Sequence, residues 1–158
     1  MSKLSLDLAR DICSSIVAKC KDKGFAPVAC VVMDASANVI CSMKMDGCAP
    51  VAYPKFALAK ATTCVSLGVS SRRFRDKYPA VDAMKVAQLA NMASCMDGRI
   101  AAFPGGVLLL PAGGSNEIVG AVGVSGASSD QDEWLALTAV RDCGYEGVTD
   151  PATSPLDD

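Results

Sequence analysis

Any acid–base chemistry in this chain has to run without histidine, because none occurs among its 158 residues. That absence removes Ser-His-Asp and Cys-His catalysis, and with them zinc or haem held through imidazole. Proton transfer would fall to Asp, Glu, Lys, Cys or Tyr. Among these Lys60 stands apart, as the one charge between Phe56 and Ser71, with Phe56, Cys64 and Leu67 on its helical face. A lysine so placed must snorkel to water, pair with a carboxylate or meet an anionic ligand. The carboxylates that could answer it lie in Ser128-Ser-Asp-Gln-Asp-Glu133. There Ser128 and Gln131 fit a capping box, and Asp130, Asp132 and Glu133 complement the positive end of a helix. Asp132 is free for a second task only if its side chain turns toward the Lys60 helix.

The cysteines at 13, 20, 30, 41, 48, 64, 95 and 143 form no CxxC pair. Their spacing matches no zinc site, so no metal is expected. Most sit inside apolar segments, where a reduced thiol behaves as a small hydrophobe. Cys48, in a loop, is the one best placed for reactivity.

Composition narrows the function classes. Apolar residues make up 51% and charged residues 20%, which describes a globular chain. A net charge of −2 creates no field for nucleic acid or anionic lipid, and neither is expected as a partner. No apolar run approaches the roughly 20 residues of a membrane span. The first eleven residues carry Asp7 and Asp11 and no long apolar core, so neither a secretory signal nor a transit peptide is read. A cytoplasmic location is the expectation.

Several elements must hold these groups in place. Apolar spacing predicts a helix over 5–23, with Ser5 and Asp7 at its start and Gly24 as its stop. Strands are expected over 27–33 and 39–43, joined at Asp34–Asn38. A second helix, from about Val51 to Leu67, carries Lys60, accepts Pro54 in its first turn and stops at Gly68. Ser71–Lys77 reads as a short basic helix whose charges face solvent or another subunit. Val81–Cys95 reads as a further helix, its methionines filling core. Strands are then predicted over 100–103, 107–110 and 117–124, the last two paired as a hairpin. The acidic helix to about Cys143 follows, then a mobile acidic tail over 147–158 after a single domain over 1–146. Gly120, Gly123 and Gly126 do not make GxGxxG, and no parallel β-α-β unit surrounds them. The order argues an α+β fold, a five-stranded antiparallel sheet with helices mainly on one face. With so much apolar surface, self-association is expected.

Four stretches carry a family resemblance over about residues 4–142: Val32-Met-Asp-Ala35; Met45-Asp-Gly47 with Ala59-Lys60-Ala61; Phe103-Pro-Gly-Gly106; and Val119-Gly-Ala-Val-Gly-Val-Ser-Gly-Ala127 with Gln131-Asp132-Glu133. In these the chain resembles the GlcG/HbpS-like family of haem-binding or haem-degrading-type proteins. The resemblance implies a profilin- or PAS-like domain assembled as a homo-tetramer or homo-octamer. It makes haem a possible cofactor, which here would need Cys, Met, Tyr or an oxygen ligand. The chain departs from the family by one extra residue in Met45–Pro50. One functional reading is a small-molecule-binding protein that holds a haem-like cofactor or a small organic acid between the second helix and the glycine-rich hairpin. Lys60 would then neutralise a carboxylate, Asp132 orient it, Met45 and Phe103 form apolar walls, and Gly105, Gly106 and Gly126 permit close backbone approach. Another is an enzyme on a small carboxylic acid, isomerase- or tautomerase-like, with Lys60 and either Asp132 or Asp46 as its titratable groups. A third is a Lys60–Asp132 bridge that ties helix to helix.

Overall fold

A computed structural model describes residues 4–79 and 81–149. Ten elements follow one another: α1 (Leu6–Lys23), β1 (Ala29–Asp34), β2 (Val39–Lys44), α2 (Ala52–Leu67), α3 (Ser71–Asp76), α4 (Ala83–Cys95), β3 (Gly106–Pro111), β4 (Gly120–Ser125), α5 (Ser129–Asp142) and β5 (Tyr145–Val148). The strands form one antiparallel sheet in the order β2-β1-β4-β3-β5. The expected α+β architecture with a five-stranded antiparallel sheet is thus the one the chain adopts.

Side chains alternate across a strand, so each buried strand feeds two cores. Cys30 and Val32 of β1, Val107 and Leu109 of β3, and Val122 and Val124 of β4 point to the face covered by α1 and α5. Val31 and Met33, Leu108 and Leu110, and Ala121 point to the opposite face, where α2 lies. Both faces being covered explains why β1, β3 and β4 read as unbroken apolar runs rather than alternating ones. Helices α1 and α5 share one face and α2 with α3 closes the other, so the helices divide between the two faces where most were expected on one.

The termini of α1 follow from its sequence. The Ser5 side chain accepts from Leu8 N, and Gly24 turns left-handed (φ 65°) to close the last turn. Between β1 and β2 the Asp34 carboxylate accepts from Ser36 N and Asn38 N, both at 2.9 Å, which fixes the hairpin turn.

Three further expectations fail. Residues 100–103 form no strand: Ala101 N donates instead to Thr63 Oγ1 at 2.9 Å, which ties this segment to α2. The fifth strand is β5, whose edge position beside β3 takes in Gly147 and Val148 of the expected tail; residues 150–158 lie outside the described set. Finally, α4 buries none of its residues, and Val81 and Met84 are 95% and 70% exposed, so its methionines do not fill core.

Candidate functional site

Lys60 and Asp132, 72 positions apart in the chain, meet at one end of the sheet. The Lys60 Nζ donates to Asp132 Oδ2 at 3.0 Å and to Val124 O at 2.8 Å. Asp132 Oδ1 accepts from Ala127 N at 3.0 Å, so both carboxylate oxygens are used. Both residues are buried, at 1% and 2% exposure. The third ammonium proton has the Phe103 ring, whose centroid lies 5.0 Å from Nζ. Burial pushes the Lys60 ammonium below its ordinary range, with the Asp132 charge opposing the shift. Burial likewise raises the Asp132 carboxyl, with Lys60 opposing. The capping box holds Asp132 in register, because Ser128 and Gln131 bond reciprocally and fix the first turn of α5.

The next residue along α5 repeats the device. Glu133, fully buried, accepts from Arg72 Nε at 3.0 and 2.9 Å, and Asp130 takes a further guanidinium proton. Arg72, expected to be solvated, is 8% exposed. Only its spacing from a carboxylate pair far along the chain could have signalled this, and spacing alone does not reveal a fold contact. Consecutive carboxylates of α5 therefore reach past the end of the sheet to the two helices of the opposite layer.

The glycines serve this packing directly. A Cβ on Gly106 would sit 2.6 Å from Lys60 O, and one on Gly123 2.0 Å from Ala57 O. Helix α2 thus rests its backbone on β3 and β4 where no side chain intervenes. A Cβ on Gly105 (φ 126°) would meet Val124 O at 2.6 Å and Lys60 Nζ at 2.7 Å, and one on Gly126 would meet Pro27 O at 2.4 Å. At Gly105, Gly106 and Gly126 the close approach is that of the protein's own atoms.

The remaining candidates separate. Phe103 packs edge-on against Phe56, ring centroids 5.9 Å apart, and Phe56 against Tyr53 at 6.2 Å. Beside Phe103 opens an apolar cavity of about 390 Å³ lined by Val86, Leu89, Ala93, Ile100 and Ala102 among others. Met45 and Asp46 instead line a different cavity, of about 470 Å³, with Val17 and Lys21 of α1. Met45 packs on the α1 side, its sulfur 3.5 Å from Val28 N. Cys48 is 5% exposed, and burial raises its thiol, which disfavours the reactive thiolate. Among the described residues no group of three His, Cys, Asp or Glu is arranged to hold a metal, and no helix is long and apolar enough to cross a membrane. Phe103, expected as an apolar wall, is in place against the Lys60 ammonium; the edge-on packing of Phe56 on Phe103 has no signal in the sequence beyond the position of Phe56 on the Lys60 face.

Comparison with known proteins follows this geometry. A protein of the Citrobacter freundii dhaT–dhaS intergenic region, uncharacterized and of 15.0 kDa, is 31% identical over 146 residues, covering 92% of this chain and 95% of its own. Klebsiella pneumoniae protein ORFY superposes with a TM-score of 0.74 at 25% identity, covering 90% of this chain and 92% of its own. The PduOC–haem complex gives a TM-score of 0.74 at 23% identity, covering 88% and 94%. A double mutant of Streptomyces reticuli HbpS gives 0.70 at 24%, covering 90% and 88%. Residues 4–141 match the family described as haem degrading protein HbpS-like, and the chain belongs to that HbpS-like family.

Proposed function

We propose that this protein binds a small amphipathic anion at the mouth where Phe103 screens Lys60, between α2 and the segment leading into β3. The observation that carries the reading is the Lys60 ammonium. It is fully buried, has two hydrogen-bond acceptors, and is covered on its third side by an aromatic ring that is itself partly exposed. An apolar cavity adjoins that ring. A ligand with an apolar body and a carboxylate would match both parts, its carboxylate taking the third ammonium proton once the ring swings aside.

Two ligand classes answer that description, a haem-like planar cofactor and a small organic acid. The apolar walls and the ammonium suit a porphyrin and its propionates. None of the side chains lining this cavity can ligate iron, so haem is met here only in part, and no iron chemistry follows from the site. A small organic acid needs nothing the site lacks. The enzyme reading has one observation of its own: burial moves Lys60 down and Asp132 up, the direction that eases proton exchange between them.

Self-association, as a homo-tetramer or homo-octamer, is part of the proposal. It is supported by α4, which carries a single charge, Lys85, and leaves Met84 and Val86 exposed. Haem and a panel of 2-hydroxy and 2-oxo acids are the probes. Stoichiometric binding of either, by Soret titration or by ligand-induced thermal stabilisation, that weakens in Phe103→Ala and is lost in Lys60→Met is the expected result. No stabilisation by any probe, with no Soret shift, would leave the Lys60–Asp132 pair as a structural bridge alone.

A further inference from the structure

We infer that Met92, Cys95 and Met96, at the C-terminal end of α4, form a binding site for a soft monovalent metal ion of the Cu(I) class. Met92 and Cys95, three residues apart, share one face of the last turn, and Met96 follows as the cap residue. All three line a single open cavity of about 310 Å³, together with Ser66, Leu67, Asn91 and Ile100. The site is distinct from the cavity beside Phe103 and uses none of its lining residues except Ile100.

Their sulfurs are not accounted for by packing, since α4 buries no residue and Cys95 is exposed. Tyr78 Oη donates to Met92 Sδ at 3.1 Å, which orients that thioether and leaves its second lone pair for another partner. Thioether and thiolate are soft donors, and together they select Cu(I) over hard divalent ions. Charge points the same way. No carboxylate lines the cavity, so a divalent ion would keep a net positive charge in apolar surroundings. A monovalent ion on one thiolate and two thioethers is neutral. Binding forms the Cys95 Sγ–copper bond and releases the thiol proton to water, with no change in oxidation state. The negative end of the α4 dipole, at the last-turn carbonyls, further favours a cation there.

The test is anaerobic titration with Cu(I) against a chromogenic Cu(I) chelator, comparing the unaltered protein with Cys95→Ser and with Met92→Leu/Met96→Leu. The other seven thiols supply a background common to all three proteins. Leucine conserves side-chain volume at the methionine positions and removes only the sulfur. Cys95→Ser should lose one copper equivalent, and the double leucine variant should hold that equivalent on the order of tenfold more weakly or lose it. Copper-edge X-ray absorption of the one-equivalent complex should show a shell of sulfur only. The inference is overturned if Cys95→Ser takes up the same number of equivalents with the same affinity. It is equally overturned if the double leucine variant matches the unaltered protein, which would mean that Cys95 binds copper as an isolated surface thiol.

Discussion

Replacing Lys60 by methionine keeps most of the side-chain volume and removes its charge, which leaves Asp132 buried at 2% exposure with no cation. Asp132 would retain only backbone donors, Ala127 N at 3.0 Å among them, and Val124 O would lose the Lys60 donor. Breaking one side of a buried pair costs about 3–5 kcal/mol. For a chain of this length that lowers the melting temperature by roughly 10 °C. The penalty depends on pH, with a definite sign. Burial already places the folded Asp132 carboxyl above its unfolded range, and Lys60 is the largest influence holding it down, so removing Lys60 raises it further. A carboxyl raised in the folded state binds its proton there first, so the variant gains relative stability as pH falls through the folded value. The penalty should therefore be greatest near neutral pH and smaller at an acidic pH such as ~4.5, nearer the unfolded carboxyl range. Urea unfolding followed through the fluorescence of Trp134, the one tryptophan, reads this directly at both pH values. A penalty below about 1 kcal/mol at neutral pH, as for an exposed pair, or one that grows on acidification, refutes the buried ion pair.

Other outcomes can be stated as firmly. Lys60→Met/Asp132→Leu removes both charges and should recover much of the single-variant loss in the same urea assay. Arg72→Leu should cost about 3–5 kcal/mol by leaving Glu133 buried without its cation, and Arg72→Lys should recover only part because it loses the forked geometry. Gly123→Ala places a Cβ 2.0 Å from Ala57 O, so α2 must lift from the sheet; loss of soluble expression, or destabilisation above about 4 kcal/mol, is expected. Met84→Lys/Val86→Lys should shift the native mass measured by light scattering toward the monomer while changing monomer stability by no more than about 0.5 kcal/mol per substitution.

Local chemistry was readable where it acts over a few residues. Ser5, Gly24, Gly68 and the Ser128–Gln131 box mark their helix ends as expected, and the expected pairing of 107–110 with 117–124 forms over Gly106–Leu109 and Gly120–Gly123, with β4 starting only at Gly120. What escaped depends on contacts between distant parts. Ile100–Phe103 has strand-forming side chains, but Thr63 claims the amide of Ala101. Tyr145–Val148 is too short and too polar to announce a strand, and becomes one because β3 offers an open edge. Helical periodicity located α4 but could not say that its apolar positions face outward. For the site, Lys60 and Asp132 were legible as a possible pair from one isolated charge and one capped acidic turn. Their common end of the sheet was set by glycines whose role, seating α2 on bare backbone, has no signature distinct from a ligand-facing loop.

The two carboxylates at the start of α5 have a consequence for how this fold comes apart. Each is bonded to a helix on the far side of the sheet, Asp132 to α2 and Glu133 to α3. Local opening of either layer would strand a bare charge in the other, so partial opening is penalised in both directions. Native-state hydrogen exchange should therefore show the amides of α2 and α5 opening together, as one cooperative unit, while α4 exchanges freely by its own local fluctuations. The chain would behave under stress as a riveted core with one loosely held helix, the one that leaves Met84 and Val86 exposed.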